Sequence, residues 1–271
     1  MTGLAVISGA GDLPRLIASD RLASNKATLV VDFEGIEVGW ADGFERFTAR
    51  FEQPEALFAQ LRKFGCTQVV MAGAMERPKL DIARFDGTFS GIAPRLMGAL
   101  QEGDDAALRV VLEMFETAGF EIVPAQDLLD GLLLDEGCPT IAQPSDYDLN
   151  DIDRAKTILA TTSPLDIGQG AVVAGGLCLG IETLQGTQAL LGFVGQTDPS
   201  VKPSRGTLVK APKEGQETRV DVPSIGVDTM DQLANARLSG IAIPAGAVLV
   251  IDRAAVIARA DELGLFLLSY I

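Results

Sequence analysis

Three cations, Lys210, Lys213 and Arg219, fall within ten residues in the segment LVKAPKEGQETRVDVPSIGVDT (208–229), and Asp221 and Asp228 follow them. The chain is otherwise acidic: 37 Asp and Glu face 22 Lys and Arg, for a formal charge of −15. Lysines gathered in such a chain suit a diphosphate, and nearby aspartates suit a magnesium ion or an attacking water. A plainer reading makes Asp228 the N-cap of a helix over 229–238, with Asp231 three residues on as a box-like partner. A cap can also be a ligand, so the two readings are compatible.

Weaker signals lie upstream. GIETLQGTQALL (180–191) places Glu182 just past an apolar strand, where a carboxylate can reach a cleft. Gly186 and Thr187 follow as candidate substrate contacts, although a helix cap explains Thr187 without function. GAMERPKL (73–80) closes a strand with Arg77 and Lys79, at the end where parallel sheets bind ligands; a solvated loop is the alternative. GDDAALR (103–109) sets Asp104 and Asp105 at a helix start, as a cap with a first-turn acid or as a metal or ribose contact.

VISGAGDLPRLIA (6–18) resembles a dinucleotide turn, with Gly9, Gly11 and Leu13 shaping it, but reads G-x-G-x-x-P because Pro14 replaces the third glycine. Asp32 ends the next strand, where a ribose-binding acid belongs. Three readings stay open: a nicotinamide cofactor, another nucleotide or phosphate on free backbone N–H groups, or a structural turn.

Absences narrow the chemistry. The chain has no histidine, which removes Ser-His-Asp and Cys-His catalysis and imidazole-built zinc sites. A hydrolase here must use carboxylates or a hard, oxygen-loving metal ion. Cys66, Cys138 and Cys178 are scattered with no C-x-x-C pair, so neither a disulfide framework nor a zinc knuckle is indicated. Two of them sit in apolar runs and are expected to be buried small hydrophobes. The negative charge opposes nucleic acid and a general hold on anionic lipid. Residues are 47% hydrophobic, yet no apolar run approaches the ~18–20 residues of a membrane span. The first residues lack a signal-peptide pattern, so a cytoplasmic location is expected.

These side chains need elements to hold them. In the first half, strands at 4–8, 28–33, 67–73 and 120–125 alternate with helices at 14–23, 54–65, 93–102 and 105–118. That order predicts a Rossmann-like, doubly wound parallel sheet over 1–134. Segment 135–153 is polar and reads as a connector. Beyond it come a hairpin with a Gly175-Gly176 turn, a glycine-rich loop, a helix at 229–238, a strand at 248–252, a helix at 254–263 and a last strand. This makes 135–271 a mixed α/β domain, expected to be the catalytic one.

GAGDLP, AGAMERP, EGDDAALRVVLEMFETAGFEIV, DIGQGAVVAGGLCLGIETLQGTQALL, GTLVKAPKEGQETRVDVPSIGVDT and VLVIDR occur in this order and cover most of the chain. The set resembles the LpxI-type UDP-2,3-diacylglucosamine pyrophosphatases of lipid A synthesis, with Gln188 standing where an aspartate is usual. The resemblance implies magnesium-dependent hydrolysis of a sugar-nucleotide diphosphate to UMP and 2,3-diacylglucosamine 1-phosphate. It implies two domains with the lipid between them, a homodimer, and work at the inner face of the cytoplasmic membrane. On this reading Asp228 is the leading catalytic carboxylate or Mg²⁺ ligand, with Asp221 and Glu182 behind it. Lys210 and Lys213 meet the diphosphate, Gly9, Gly11 and Leu13 shape the nucleotide end, and Arg77 and Asp104 are further contacts. The rivals are an NAD(P)-dependent oxidoreductase, favoured by Asp32, and a lipid- or nucleotide-binding module without catalysis.

Overall fold

Five short strands, all parallel, build the first sheet. In the computed structural model, which describes residues 3–36, 38–75, 77–198, 200–202 and 205–271, the chain divides into two units. The first runs up to Leu129 and includes Glu217–Asp221; the second comprises Asp130–Gln216 and Val222–Ile271.

The first unit opens with β1 (Gly3–Ser8), α1 (Leu13–Ala23), β2 (Thr28–Phe33), β3 (Glu45–Ala49), α2 (Pro54–Phe64) and β4 (Cys66–Ala72). It continues with α3 (Gly87–Glu102), α4 (Asp104–Thr117) and β5 (Glu121–Ile122). The strand order is β3-β2-β1-β4-β5, with Val6 in register between Val30 and Val70. β1 is buried along its whole length, as expected of a central parallel strand covered on both faces. Alternation sends Leu4, Val6 and Val70 against Ile17 of α1 on one face. Ala5, Ile7 and Val69 meet Leu57 and Leu61 of α2 and Phe115 of α4 on the other. The doubly wound sheet expected of this half is therefore present. β3 (ERFTA) has no counterpart among the expected strands because it is an edge strand with mostly polar, exposed residues. The fourth expected strand shrinks to the two residues of β5.

The second unit contains α5 (Asp146–Thr162), β6 (Gly170–Ala174), β7 (Leu177–Ile181), α6 (Gly186–Gly195), β8 (Thr207–Lys210) and β9 (Ser224–Ile225). It ends with α7 (Val227–Asn235), β10 (Gly240–Pro244), β11 (Leu249–Val250), α8 (Arg253–Leu263) and β12 (Phe266–Tyr270). Its sheet order is β12-β10-β8-β6-β7, with β8, β10 and β12 parallel and β6 antiparallel to both β7 and β8. β9 and β11 form a separate small parallel pair. Ile152, Ala155 and Leu159 of α5 pack on one sheet face, and α6, α7 and α8 cover the other. The sheet is mixed, as expected for this half.

Three expectations need correction. The polar stretch 135–153 is not all connector, since α5 starts inside it. Ser145 accepts the Asp148 N–H at 3.3 Å while Asp148 accepts the Ser145 N–H at 2.9 Å, a capping box that hides in a run of polar residues. The helix expected over 229–238 stops at Asn235, and Gly240–Pro244 turns out to be a sheet strand, β10. Of the cysteines only Cys66 is buried; Cys138 is half-buried and Cys178, on edge strand β7, is exposed. The Gly175-Gly176 hairpin forms as expected, and the buried Asp151 carboxylate accepts both glycine N–H groups at 2.9 and 2.7 Å. Among the described residues no helix is long and apolar enough to cross a membrane.

Candidate functional site

One edge of the second sheet collects most of the chemistry. β8 ends at Lys210, which pairs with Gly170 at the start of β6. β7 runs back to the same edge, so Glu182 lies there, its N–H bonded to Gly170 O at 2.7 Å. α6 then begins at Gly186. α7 is joined to β10 by only four residues, 236–239, and carries Asp228 in its first turn. Lys210, Glu182 and Thr187 thus meet at the C-terminal edge of β8, where open α/β sheets receive ligands.

The Lys210 ammonium donates to Thr187 Oγ1 at 2.6 Å, and the Thr187 hydroxyl donates to Glu182 Oε2 at 2.7 Å. Lys210 Nζ lies 3.9 Å from Glu182 Oε2, and the two residues are only 8% and 9% exposed. Charges this far from water must be compensated, and each here compensates the other. Thr187 is not the helix cap, which is Gln185; its hydroxyl is spent on the two charges instead. The glycines of DIGQG explain why the carboxylate fits. A Cβ on Gly170 would lie 2.7 Å from Glu182 Oε2, and one on Gly168, where φ is +54°, would lie 1.9 Å from the Glu182 carbonyl oxygen.

Lys213 has a different neighbourhood. Its ammonium pairs with Asp166 and its N–H donates to Gln216 Oε1 at 2.8 Å. With Lys156, Ser163, Ala211, Pro212 and Tyr270 it lines a cleft of about 430 Å³ on the α5 face. Lys156 Nζ sits 4.5 Å over the Tyr270 ring, and burial pushes the Tyr270 phenol up to about 12. Arg219 is committed elsewhere, to Glu217 and Glu116 in the first unit, and these carboxylates push its guanidinium further up.

Asp228 is exposed in the first turn of α7 and does not cap it. Gly226 is the cap residue, and Thr229 Oγ1 accepts its N–H at 3.1 Å. Asp231, the expected box partner, is paired with Arg259. The plain reading of Asp228 therefore falls away: among the described residues it has no side-chain partner. Asp221 lies in the segment Glu217–Asp221, half-buried, its N–H bonded to Glu217 O at 3.0 Å. The two aspartates expected to share a metal belong to different units.

In the first unit the loops after β1 and β4 lock together. Ala10 N–H donates to Ala74 O at 2.7 Å, and Ala74 N–H to Ala10 O at 2.9 Å. A Cβ on Gly9 or on Gly73 would lie 2.4 Å from a backbone oxygen of the facing loop, so Gly9 serves loop-to-loop contact. Gly11, with φ of +96°, faces open space, and the Leu13 side chain packs against the α1-side core. Arg77 and Asp104 are brought together, Nε and Nη2 at 2.8 and 2.6 Å from Oδ1, both more than half exposed. Asp104 is not a cap; that position is Gly103. Asp32, expected to face a ribose, is wholly buried and bound by Arg46 from β3.

Among the described residues no group of three or more carboxylates and thiols is placed to hold a metal by itself. Magnesium seldom needs such a cage: one or two carboxylates, waters and substrate phosphates suffice. Asp228 is an exposed carboxylate with no side-chain partner among the described residues, the type of ligand such binding uses.

The chain matches the LpxI N-terminal domain over residues 3–132 and the LpxI C-terminal domain over 135–268. It is 39% identical, over 273 residues, to the UDP-2,3-diacylglucosamine pyrophosphatase LpxI of Caulobacter vibrioides, covering 99% of this chain and 98% of that protein. The chain belongs to the LpxI family. Glu182, Thr187, Lys210, Lys213 and Asp228 all fall in the span matched by the LpxI C-terminal domain, and Gly9, Gly11, Leu13, Arg77 and Asp104 in that of the LpxI N-terminal domain. Asp221 falls in the LpxI C-terminal span although its segment packs with the first unit. Asp166, Gly168 and Gly170 were missed as individual site residues. The signal lies in DIGQG, where one glycine stands just before an apolar strand and a second opens it.

Proposed function

We propose that the chain hydrolyses the pyrophosphate bond of UDP-2,3-diacylglucosamine, giving UMP and 2,3-diacylglucosamine 1-phosphate for lipid A synthesis. One observation carries this: the likeness to the Caulobacter vibrioides pyrophosphatase runs through 99% of the chain. The second unit supports it chemically. Attack of water on phosphorus needs the oxygen charges offset and the water placed in line. Lys210 and Lys213 supply positive charge in a chain that has little to spare, and Asp228 supplies the carboxylate for the water or for a cation. Asp221 is kept as a second candidate carboxylate, Gly186 as a candidate substrate contact beside Thr187, and Gly9, Gly11, Leu13, Arg77 and Asp104 as candidate ligand contacts within the first unit.

Magnesium fits as a cation held by Asp228 together with phosphate oxygens and water. Bound there, it would offset charge building on the phosphoryl oxygens. Each acyl CH₂ removed from water contributes ~0.8 kcal/mol, so the two chains rather than the head group dominate affinity. Access to such a substrate calls for a local apolar contact with the inner face of the cytoplasmic membrane, and the working form is taken to be a homodimer.

The test is incubation of the purified chain with UDP-2,3-diacylglucosamine, with magnesium or with excess chelator, followed by analysis of both products. UMP and the sugar 1-phosphate, released only with the metal, are expected. Release of UDP, or of no nucleotide, overturns the reaction; release undiminished by chelator removes the metal alone.

A further inference from the structure

Glu182 and Lys210, each more than nine-tenths buried, could be no more than a structural ion pair. Their hydrogen bonds specify something narrower. An ammonium only donates and an ionised carboxylate only accepts, so the single Thr187 proton has one destination. The order is fixed as Lys210 N–H to Thr187 Oγ1 at 2.6 Å, then Thr187 O–H to Glu182 Oε2 at 2.7 Å. The two charges stay 3.9 Å apart, whereas a direct charge-assisted bond closes to ~2.7–2.9 Å. The hydroxyl is thus interposed between them. Thr187 is held by the first turn of α6, and Glu182 is backed by Gly170, which leaves its Oε2 just enough room. A flexible lysine stem ends on a rigid acceptor.

We propose that Thr187 is a positioning residue for Lys210. Its hydroxyl, aimed by Glu182, fixes the ammonium at the sheet edge for the substrate's diphosphate, and Glu182 acts through Thr187 as the balancing charge, with no proton transfer of its own. This rests on the assignment of Lys210 to the diphosphate made above.

The experiment compares Thr187→Ser, Thr187→Val, Lys210→Met and the Thr187→Val/Lys210→Met double variant with the unaltered chain, melting curves serving as the folding control. Thr187→Val removes a bond to a charged group and lowers kcat/KM by about ten- to a hundredfold, whereas Thr187→Ser stays within about threefold. In the Lys210→Met background Thr187→Val has no further effect, because its influence passes through the lysine. A second readout needs no activity. The Lys210 ammonium signal in ¹H–¹⁵N spectra, assigned with Lys210→Arg, is sharp in the unaltered chain and in Thr187→Ser and lost in Thr187→Val. An undiminished signal in Thr187→Val, or equal losses from Thr187→Val with and without Lys210, overturns the proposal. An unaltered chain that releases no UMP overturns the assigned reaction instead, and the ammonium signal then decides the positioning link alone.

Discussion

Gly170 faces the Glu182 carboxylate so closely that a methyl group on residue 170 would sit 2.7 Å from Oε2. The obstacle is the far end of a side chain, so the chain can yield without unfolding. Gly170→Ala is expected to keep a near-normal melting temperature yet lose about tenfold in kcat/KM as Glu182 and Thr187 are displaced. Gly168→Ala should behave differently. There φ is +54° and the clash, at 1.9 Å, is with the Glu182 backbone oxygen. The left-handed backbone alone costs about 1–2 kcal/mol. Thermal melts alongside turnover separate the two; equal melting temperatures would contradict the cradle.

Asp228→Ala tests a carboxylate that has no side-chain partner among the described residues. The cap of α7 is supplied by Gly226 and Thr229. Removing Asp228 is expected to leave the melting curve nearly unchanged while UMP release falls by at least about a hundredfold, the scale of losing a catalytic acid or base. Thr229→Val should do the reverse, costing about 1 kcal/mol of stability as a cap does with most activity retained. A chain unfolded by Asp228→Ala would return the residue to a structural role.

Much of this arrangement was legible in the sequence, and the failures share a cause. β1, β2 and β4 were readable because central parallel strands are continuous apolar runs. β3 and the start of α5 were not, because ERFTA and SDYD put polar side chains outward and carry only local signals. At the site, Lys210, Glu182 and Thr187 each carry a signal of their own in the sequence, but their meeting depends on β6 and β7 returning to the end of β8, a pairing that residue spacing does not reveal. Asp32 shows the opposite error. Its position at the end of β2 suits a ribose contact, yet its counter-ion comes from β3, the strand that went unseen.

Arg46→Ala should therefore be a folding variant. It strands the buried Asp32 carboxylate, whose Oδ1 already lacks a hydrogen-bond partner among the described residues. The expected cost is about 3 kcal/mol, low for a buried pair because Arg46 is itself 39% exposed. Denaturant unfolding measures it. Fluorescence titration of the unaltered chain with NADH checks the companion point, since no saturable signal is expected from an acid already taken.

The cysteines offer a check on burial. Burial pushes the Cys66 thiol up to about 11, so near pH 8 it is protonated as well as shielded. Cys178 is exposed on β7. A thiol reagent applied to the native chain at pH 8 should modify Cys178 first and leave Cys66 untouched until denaturant is added. Peptide mapping by mass spectrometry decides it, and rapid native modification of Cys66 would contradict the packing of β4.

Lys213 poses the sharpest choice between structure and function, because its ammonium is already paired with Asp166 and its side chain is only 15% exposed. If the lysine exists to hold Asp166, then Lys213→Ala and Asp166→Asn remove the same interaction and should do the same harm. If it meets the substrate's diphosphate, the two diverge. Lys213→Ala removes the positive charge and should raise KM by about tenfold, roughly the value of one hydrogen bond to a charged group. Asp166→Asn removes only the competitor and should leave KM unchanged or lower it, the more so at low salt, where an unbalanced lysine attracts a polyanion most strongly. Steady-state kinetics on both variants at two ionic strengths separate the cases. A parallel rise in KM for the two would assign Lys213 to the loop and leave Lys210 as the lysine that grips the phosphates.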